Sequence, residues 1–161
     1  MKNLIYFLFI ILGFYSCAHS PVAITDEEVP ETVFYCNDQI KPFTGRCVIY
    51  FNNSKDIKEE MNYKNGILHG PMISYYKDGS IRRRGMFVNG KMEGKWESWY
   101  MDGKMYYTAE YVCDSLDGEY VEWYSTGVMK EKGLYAQNKP VGHWIGYDEA
   151  GMIIRNEEYE K

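Results

Sequence analysis

Apolar and aromatic residues alternate with polar ones in short runs along most of this chain, and glycine-containing turns separate the runs. The stretch Gly94-Lys95-Trp96-Glu97-Ser98-Trp99-Tyr100 is the clearest example. Alternation with a period of two is typical of a β-strand that buries one face. No stretch has an apolar periodicity of helical type longer than about two turns. The pattern therefore predicts an all-β protein made of short antiparallel strands.

The alternating runs recur with a fixed period of 24 residues. Four leading glycines follow one another at that spacing and a fifth lies 25 residues before them: Gly70, Gly94, Gly118 and Gly142, preceded by Gly45. A period of this length is the signature of a repeat architecture, in which each unit is one supersecondary element. We therefore predict about five stacked units in residues 33–161.

Each unit has the turn chemistry of a β-hairpin. Asp78-Gly79 and Asp102-Gly103 favour two-residue type I′ turns, because such turns need positive φ at both central positions. Asn65-Gly66 and Asn89-Gly90 provide the return turn to the next unit. The predicted fold is thus an elongated, single-layer antiparallel meander of stacked hairpins.

Rings are predicted on both faces of this sheet, because successive strand residues point to opposite sides. One row follows each leading glycine by five residues: Tyr50, Tyr75, Trp99, Trp123 and Tyr147. The next position holds a second row: Phe51, Tyr76, Tyr100 and Tyr124. Gly85, Ala109 and Gly133 are small, so they are expected to let the rings of facing strands lie across the backbone.

A one-layer sheet cannot bury both rows. We assign the packed side to the row with the larger rings, Trp99 and Trp123. The other row is then at least partly exposed and forms a candidate partner-binding stripe, since tyrosine offers a large contact area with a polar tip. This stripe consists of Tyr76, Tyr100 and Tyr124. The opposite assignment remains open, because Trp96 and Trp144 share the face of the tyrosine row.

The charge of the chain is concentrated near its beginning. The whole chain has 18 basic and 23 acidic residues, of which residues 1–32 contain one and four. Subtraction leaves 17 basic and 19 acidic residues, and this near balance disfavours nucleic-acid binding. The basic cluster Arg82-Arg83-Arg84 is a candidate partner-binding site for acidic lipid head groups, or else a charged hairpin edge that maintains solubility.

The N-terminal region has the features of an export signal followed by a tether. The apolar run from Leu4 to Tyr15 is too short to span a bilayer, which takes about 20 residues, and suits a secretory signal peptide. Ser16-Cys17 at its end resembles a bacterial lipobox, although Phe14 stands where leucine is usual. We therefore predict a signal peptide with a lipidated Cys17, ordinary cleavage just beyond being the alternative. Residues 18–32 are acidic and are predicted to be a flexible tether.

Few residues of the chain suggest a disulfide, a metal site or a catalytic site. In an exported protein a disulfide between Cys36 and Cys47 is possible, two half-buried thiols being the alternative, and Cys113 is expected to be a packed thiol. The cysteines lack the close spacing of metal ligands, and the histidines are scattered. No nucleophile–base motif is present. We therefore expect no catalytic residues, no metal and no cofactor.

The repeat resembles the MORN repeat (membrane occupation and recognition nexus) in its bacterial variant form. The resemblance lies in a leading glycine, a tryptophan two residues later, a pair of rings, a second glycine and a closing tyrosine. Gly94 to Gly103 with Tyr111 carry it most clearly, and Pro42-Phe43-Thr44-Gly45 resembles the entry to a first unit. It covers roughly residues 33–161.

This resemblance implies a non-enzymatic module for protein interaction, or a scaffold. Together with the signal-like segment and Cys17, it predicts a lipoprotein anchored in the bacterial cell envelope, at the outer membrane or in the periplasm. Bacterial members are often labelled antitoxins, and eukaryotic members are associated with acidic lipids. An antitoxin or immunity protein that neutralises a partner toxin, or a binder of acidic lipid head groups, is therefore the alternative. The expected partner is a protein, and neither a nucleic acid nor a small-molecule substrate is expected.

Overall fold

The computed structural model describes residues 42–52 and 54–160. Within these ranges all regular structure is β-strand: β1 (Gly45–Tyr50), β2 (Ile57–Lys64), β3 (Ile67–Leu68), β4 (Gly70–Tyr75), β5 (Ile81–Val88), β6 (Lys91–Trp99), β7 (Met105–Val112), β8 (Ser115–Trp123), β9 (Met129–Ala136), β10 (Lys139–Tyr147) and β11 (Ile153–Tyr159). The predicted signal peptide and tether lie outside the described residues and stay predictions.

The strands form one antiparallel sheet in the order β1-β2-β4-β5-β6-β7-β8-β9-β10-β11, and the short β3 pairs with β2 beside that path. Neighbours in the sheet are therefore neighbours in the chain, as in a meander. The hairpins are β1–β2, β4–β5, β6–β7, β8–β9 and β10–β11. The predicted all-β meander of stacked hairpins is confirmed.

The return turns between hairpins have positive φ at both central residues. The angles are 51° and 77° at Asn65-Gly66, and 50° and 81° at Asn89-Gly90. Cys113-Asp114 and Gln137-Asn138 adopt the same conformation later in the chain. Positive φ at both positions is what a type I′ turn needs, and it matches the right-handed twist of the flanking strands.

The hairpin tips are built differently from the prediction. Only the glycine of each tip has positive φ, 86° at Gly79 and 83° at Gly103, so the two-residue type I′ turns predicted there are wrong. The backbone N–H of Tyr76 donates to the carbonyl of Ser80 at 2.8 Å and closes a three-residue loop. The Asp78 carboxylate accepts the N–H of Ser80, which favours this longer loop.

A β-bulge lies at the same place in every hairpin, close to its tip. In β6–β7, Ser98 pairs with Tyr107 and Trp99 with Met105, so Tyr106 is left without a partner on β6. The equivalent residues, spaced by 24, form what we call the bulge row: Lys58, Arg82, Tyr106, Lys130 and Ile154. A bulge strengthens the local twist and re-aims the extra side chain.

The most deeply buried rings lie on one face, which we call the ring face. Trp96 and Trp144 are 0% and 1% exposed. Phe87 packs edge-on against the first and Tyr135 against the second, with centroids 5.1 and 4.9 Å apart. Trp99 and Trp123 are only half-buried and belong to the opposite face. The assignment of the packed side to those two residues is therefore wrong.

Small residues beneath the rings explain why this face closes. A Cβ atom built on Gly85 would overlap the indole of Trp96, and one on Gly133 would overlap that of Trp144. The predicted role of the small residues is confirmed at both positions. The row of small residues also includes Ala109, which pairs directly with the smaller ring of Tyr120.

Hydrogen bonds link the return turn after each of the first four hairpins to the start of the same hairpin, and we call this set the turn ladder. The backbone N–H groups of Gly66, Gly90, Asp114 and Asn138 donate to the carbonyls of Phe43, Leu68, Met92 and Leu116 at 2.7 to 3.1 Å. In the later units the turn side chain adds a second bond. The Asp114 and Asn138 oxygens accept the N–H groups of Met92 and Leu116.

In the fifth hairpin, different residue types replace those that form hydrogen bonds in the earlier units. Pro140 stands where Met92 and Leu116 donate in earlier units, and proline has no N–H to satisfy. Asp148 stands in the row of Tyr76, Tyr100 and Tyr124, and its carboxylate accepts the N–H groups of its own turn. The last unit therefore needs no further hairpin to satisfy these positions, as a capping repeat should.

Candidate functional site

The stripe predicted to bind a partner is built into the joints between hairpins. The hydroxyls of Tyr76, Tyr100 and Tyr124 donate to the carbonyls of Trp99, Trp123 and Tyr147 at 2.7, 2.8 and 2.9 Å. We call these bonds the tyrosine ladder. The three rings are half-buried, in line with the predicted partial exposure. Their hydroxyls, however, are engaged within the sheet, so any partner contacts them through the ring surface.

The face opposite the ring face has its own row of aromatic side chains. Tyr75, Trp99 and Trp123 are half-buried there, and the guanidinium of Arg84 lies 5.1 Å from the centroid of Trp99. Within the described part of the chain, no second layer packs on this face, and only side chains of the sheet itself cover it. Both faces therefore present partly accessible rings.

The basic cluster does not form one cationic surface. Arg83 lies over the indole of Trp96 on the ring face, 5.1 Å from its centroid. The Nε of Arg84 donates to Glu97 Oε2 at 2.7 Å on the other face. Arg82, in the bulge row, is the one member of the cluster whose side chain has neither a ring contact nor an ion pair or hydrogen bond with the described residues. Stacking and pairing thus account for two of the three charges.

The alternation of Glu97, Glu119 and Glu122 along their strands predicts a solvated face, but this prediction is wrong for Glu122, which is a buried acid of the fourth hairpin. Glu122 is 8% exposed, and its Oε1 accepts from Lys130 Nζ at 2.8 Å while its Oε2 accepts from the Tyr120 hydroxyl at 3.0 Å. Burial first, and then the charge of Glu122, raises the pKa of Tyr120. The bond to Glu122 likewise raises the pKa of Lys130. The 24-residue spacing was the available signal, since Ser74 and Ser98 hold the equivalent position.

The described histidines contact asparagines. The Nδ1 of His69 accepts the backbone N–H of Asn89 at 3.4 Å, and the Nε2 of His143 lies 2.5 Å from Asn156 Oδ1. Residues 42–52 and 54–160 contain no cluster of three His, Cys, Asp or Glu side chains that could hold a metal ion. Over the same ranges, no helix is long and apolar enough to cross a bilayer.

Two of the four cysteines, Cys17 and Cys36, lie outside the described residues. Lipidation of the first and a bridge from the second to Cys47 therefore stay predictions. Cys113 is disulfide-bonded, so its assignment as a packed thiol is wrong. With four cysteines, a lipidated Cys17, a Cys36–Cys47 bridge and an intramolecular bridge from Cys113 cannot all exist in one molecule, because no partner would remain for Cys113.

A single-layer sheet of hairpins with a 24-residue period defines a β-hairpin repeat protein. Three segments of the chain match the family model described as MORN repeat variant: residues 68–89, 92–112 and 116–137. These segments coincide with the second, third and fourth hairpins up to their return turns. No curated protein is significantly similar to the chain.

Proposed function

We propose that this protein is a non-enzymatic, envelope-anchored MORN-repeat module that binds another protein or acts as a scaffold. The observation that carries the proposal is the presence of half-buried rings on both faces of one open sheet, Tyr76 and Tyr100 on one side and Trp99 and Trp123 on the other. Rings that are held rigidly yet remain partly accessible lose little entropy on binding, and tyrosine and tryptophan are enriched at protein interfaces.

The rigidity of these rings supports recognition. The tyrosine ladder fixes the phenols through bonds to backbone carbonyls, and Arg84 holds Trp99 on the opposite face. A partner that contacts them would find a preorganised surface, which reduces the cost of association. The family match fits a module that binds protein or lipid.

Photo-crosslinking in the producing cells tests the proposal. A benzophenone amino acid is placed at Tyr106 near the ring face, or at Met86 on the other face, since both positions are exposed. The expected result is a discrete adduct from one of the faces with the same protein in replicate experiments. Purified partner should then bind wild-type protein. Diffuse labelling from both positions would contradict a specific module.

Envelope anchoring is the second part of the proposal and rests on the apolar run that ends at Cys17. Metabolic labelling with a palmitate analogue should mark the wild-type protein and spare the Cys17→Ala variant. Equal labelling of both, or none of either, would contradict the anchor.

An antitoxin or immunity role is the alternative within the same class of binding proteins. It predicts that the crosslinked partner is a toxin and that co-expression of this protein restores growth. A partner that is harmless when expressed alone would favour the scaffold instead. Binding of acidic lipid head groups predicts crosslinks to lipid rather than to protein.

A further inference from the structure

A cleft of about 300 Å³ opens near the hairpin tips, where the first hairpin meets the second. We call it the tip cleft, and its walls include Phe51, Lys58, Tyr75, Tyr76, Lys77 and Arg82. Two of these side chains, Lys58 and Arg82, are the first two members of the bulge row. Two others, Phe51 and Tyr76, begin the row that forms the tyrosine ladder.

The cations of the tip cleft are not neutralised by the chain itself. Lys58, Lys77 and Arg82 are exposed, and their side chains make no ion pair or hydrogen bond within residues 42–52 and 54–160. Glu59 is the acid that lines the cleft with them. The lining therefore has three positive charges and one negative charge.

In the fourth hairpin, the cation of the bulge row forms an ion pair with a neighbouring carboxylate. Lys130 holds the same position as Arg82 two units later, and its ammonium lies over the ring of Tyr124 and bonds to Glu122. Glu122 is buried in this contact, although it is a carboxylate. The carboxylate is thus held by the hydroxyl of Tyr120 and by a bulge-row cation that also lies over a ladder tyrosine.

The second hairpin keeps a bulge-row cation and a ladder tyrosine, but it has no acid at the position of Glu122, and Met72 stands where Tyr120 donates to that acid. Ser74 stands in the position of Glu122 and is 4% exposed, Arg82 stands in that of Lys130, and Tyr76 in that of Tyr124. Phe51 has no hydroxyl, so the joint between the first and second hairpins has no bond of the tyrosine ladder. The site that Glu122 fills in one unit is thus unfilled by the chain in another.

We propose that the tip cleft binds an Asp or Glu side chain from an acidic peptide segment of a partner protein. The carboxylate takes the place that Glu122 holds in the fourth hairpin and accepts charge-assisted hydrogen bonds from Arg82 and Lys58. The rings of Phe51, Tyr75 and Tyr76 contact the apolar part of the peptide. This assignment rests on the proposed function as a protein-binding module and adds the chemistry of the partner.

A peptide suits this cleft better than a membrane surface does. The cations surround a cleft that admits only a few side chains and is walled by rings, whereas a lipid surface is best met by a broad basic patch. The repeat region as a whole is nearly neutral, with 17 basic and 19 acidic residues.

The test uses full-length protein in a non-ionic detergent and a fluorescein-labelled hexaglutamate peptide, with binding followed by fluorescence anisotropy at low salt. Arg82→Gln should weaken binding roughly tenfold or more, because it removes a charge-assisted hydrogen bond. Ser74→Glu should weaken it as much by supplying an internal carboxylate, as Glu122 does. That residue type is accommodated at the same repeat position in the fourth hairpin, and circular dichroism checks that each variant folds.

Matched controls separate the cleft from general charge effects. Lys130→Gln also removes one positive charge from the bulge row. Because Lys130 is already paired with Glu122, the affinity for the peptide should change less than twofold. Val112→Glu adds the same charge as Ser74→Glu near a return turn and should also have little effect. Equal weakening by Lys130→Gln and Arg82→Gln would overturn the proposal, as would absence of peptide binding.

Two competitors identify the anion. Displacement of the peptide by 10 mM inorganic phosphate would show a site for any small anion and would contradict a carboxylate site. Vesicles containing phosphatidylglycerol that bind in an Arg82-dependent manner, when the peptide does not, would assign the cleft to lipid. A crosslinked partner without peptide binding would refute the cleft alone, whereas peptide binding without any crosslinked partner would refute the proposed function.

Discussion

At the scale of the residue, a single methyl group decides whether the rings of the ring face can pack against the backbone. Gly85 lies beneath the indole of Trp96, where a Cβ would overlap the ring. Gly85→Ala should therefore lower the free energy of unfolding by about 1–3 kcal/mol, the usual cost of overpacking. Urea denaturation measures it. Combining Gly85→Ala with Trp96→Tyr imitates the natural pair of Ala109 and Tyr120 and should cost less than the sum of the single changes. Additive losses would show that the methyl and the ring do not compete.

The tyrosine ladder predicts that loss of a single hydroxyl oxygen measurably lowers the stability of the fold. Tyr100→Phe and Tyr124→Phe each remove a hydroxyl that donates to a backbone carbonyl at the joint between hairpins. Each should cost about 0.5–1.5 kcal/mol of stability in urea denaturation, the net worth of a typical hydrogen bond. Tyr106→Phe is the matched control, since its ring contacts Tyr100 while its hydroxyl has no hydrogen bond with the described residues. An equal loss in that control would place the effect in the rings rather than in the hydroxyls.

The ion pair on the face opposite the ring face predicts a pH dependence. Burial alone would raise the pKa of Glu97, but Arg84 and Lys95 outweigh it and lower that pKa. A carboxyl with a lowered pKa stabilises the fold above its unfolded value of about 4.3, and the gain is lost as pH falls through the folded pKa. Glu97→Gln should therefore cost at most about 1 kcal/mol at pH 7, because Arg84 is 52% exposed. The difference between the two proteins should shrink steadily as the pH is lowered from 7 towards 3, and a difference that stays constant would contradict the electrostatic origin.

At the scale of the element, the hairpin was predictable because its cues are local. Alternating residues, spaced glycines and Asn-Gly turns determine strand, period and return turn within about ten residues of chain. The tips were mispredicted because Asp-Gly is compatible with two loop lengths. The structure takes the longer one, in which the Asp78 side chain accepts the N–H of Ser80. Local chemistry therefore favoured a turn without fixing its length.

The candidate site was less predictable than the hairpin, since it depends on which face packs. Trp99 and Trp96 are both large rings at regular positions, and only the small residue on the facing strand distinguishes them. The bulge adds a residue that breaks simple alternation, so the neighbours of Arg82 and Lys130 could not be read from strand parity. The pair of Glu122 and Lys130 follows from that bulge and became visible only in the folded sheet.

At the scale of the whole molecule, stability should spread only between neighbouring units. Extensive contacts in the described sheet join strands that are adjacent in it, and the tyrosine ladder connects each hairpin from the second to the fourth with the one that follows. In such a one-dimensional architecture a local defect opens the units beside it and leaves distant ones intact. The protein should therefore behave as a row of coupled hairpins.

Hydrogen exchange with two tryptophan variants tests this expectation. Trp144→Ala removes a ring that is 1% exposed and packed between Tyr135 and Tyr159, so exchange should accelerate in β8 to β11 while β4 and β5 stay protected. Trp96→Ala should give the opposite pattern, with the largest effect in β5 to β7, because its ring packs against Phe87 and Tyr111. Each substitution should cost about 3–5 kcal/mol locally, and each serves as the control for the other. Uniform acceleration over all strands by either variant would instead show that the described sheet opens as one cooperative unit.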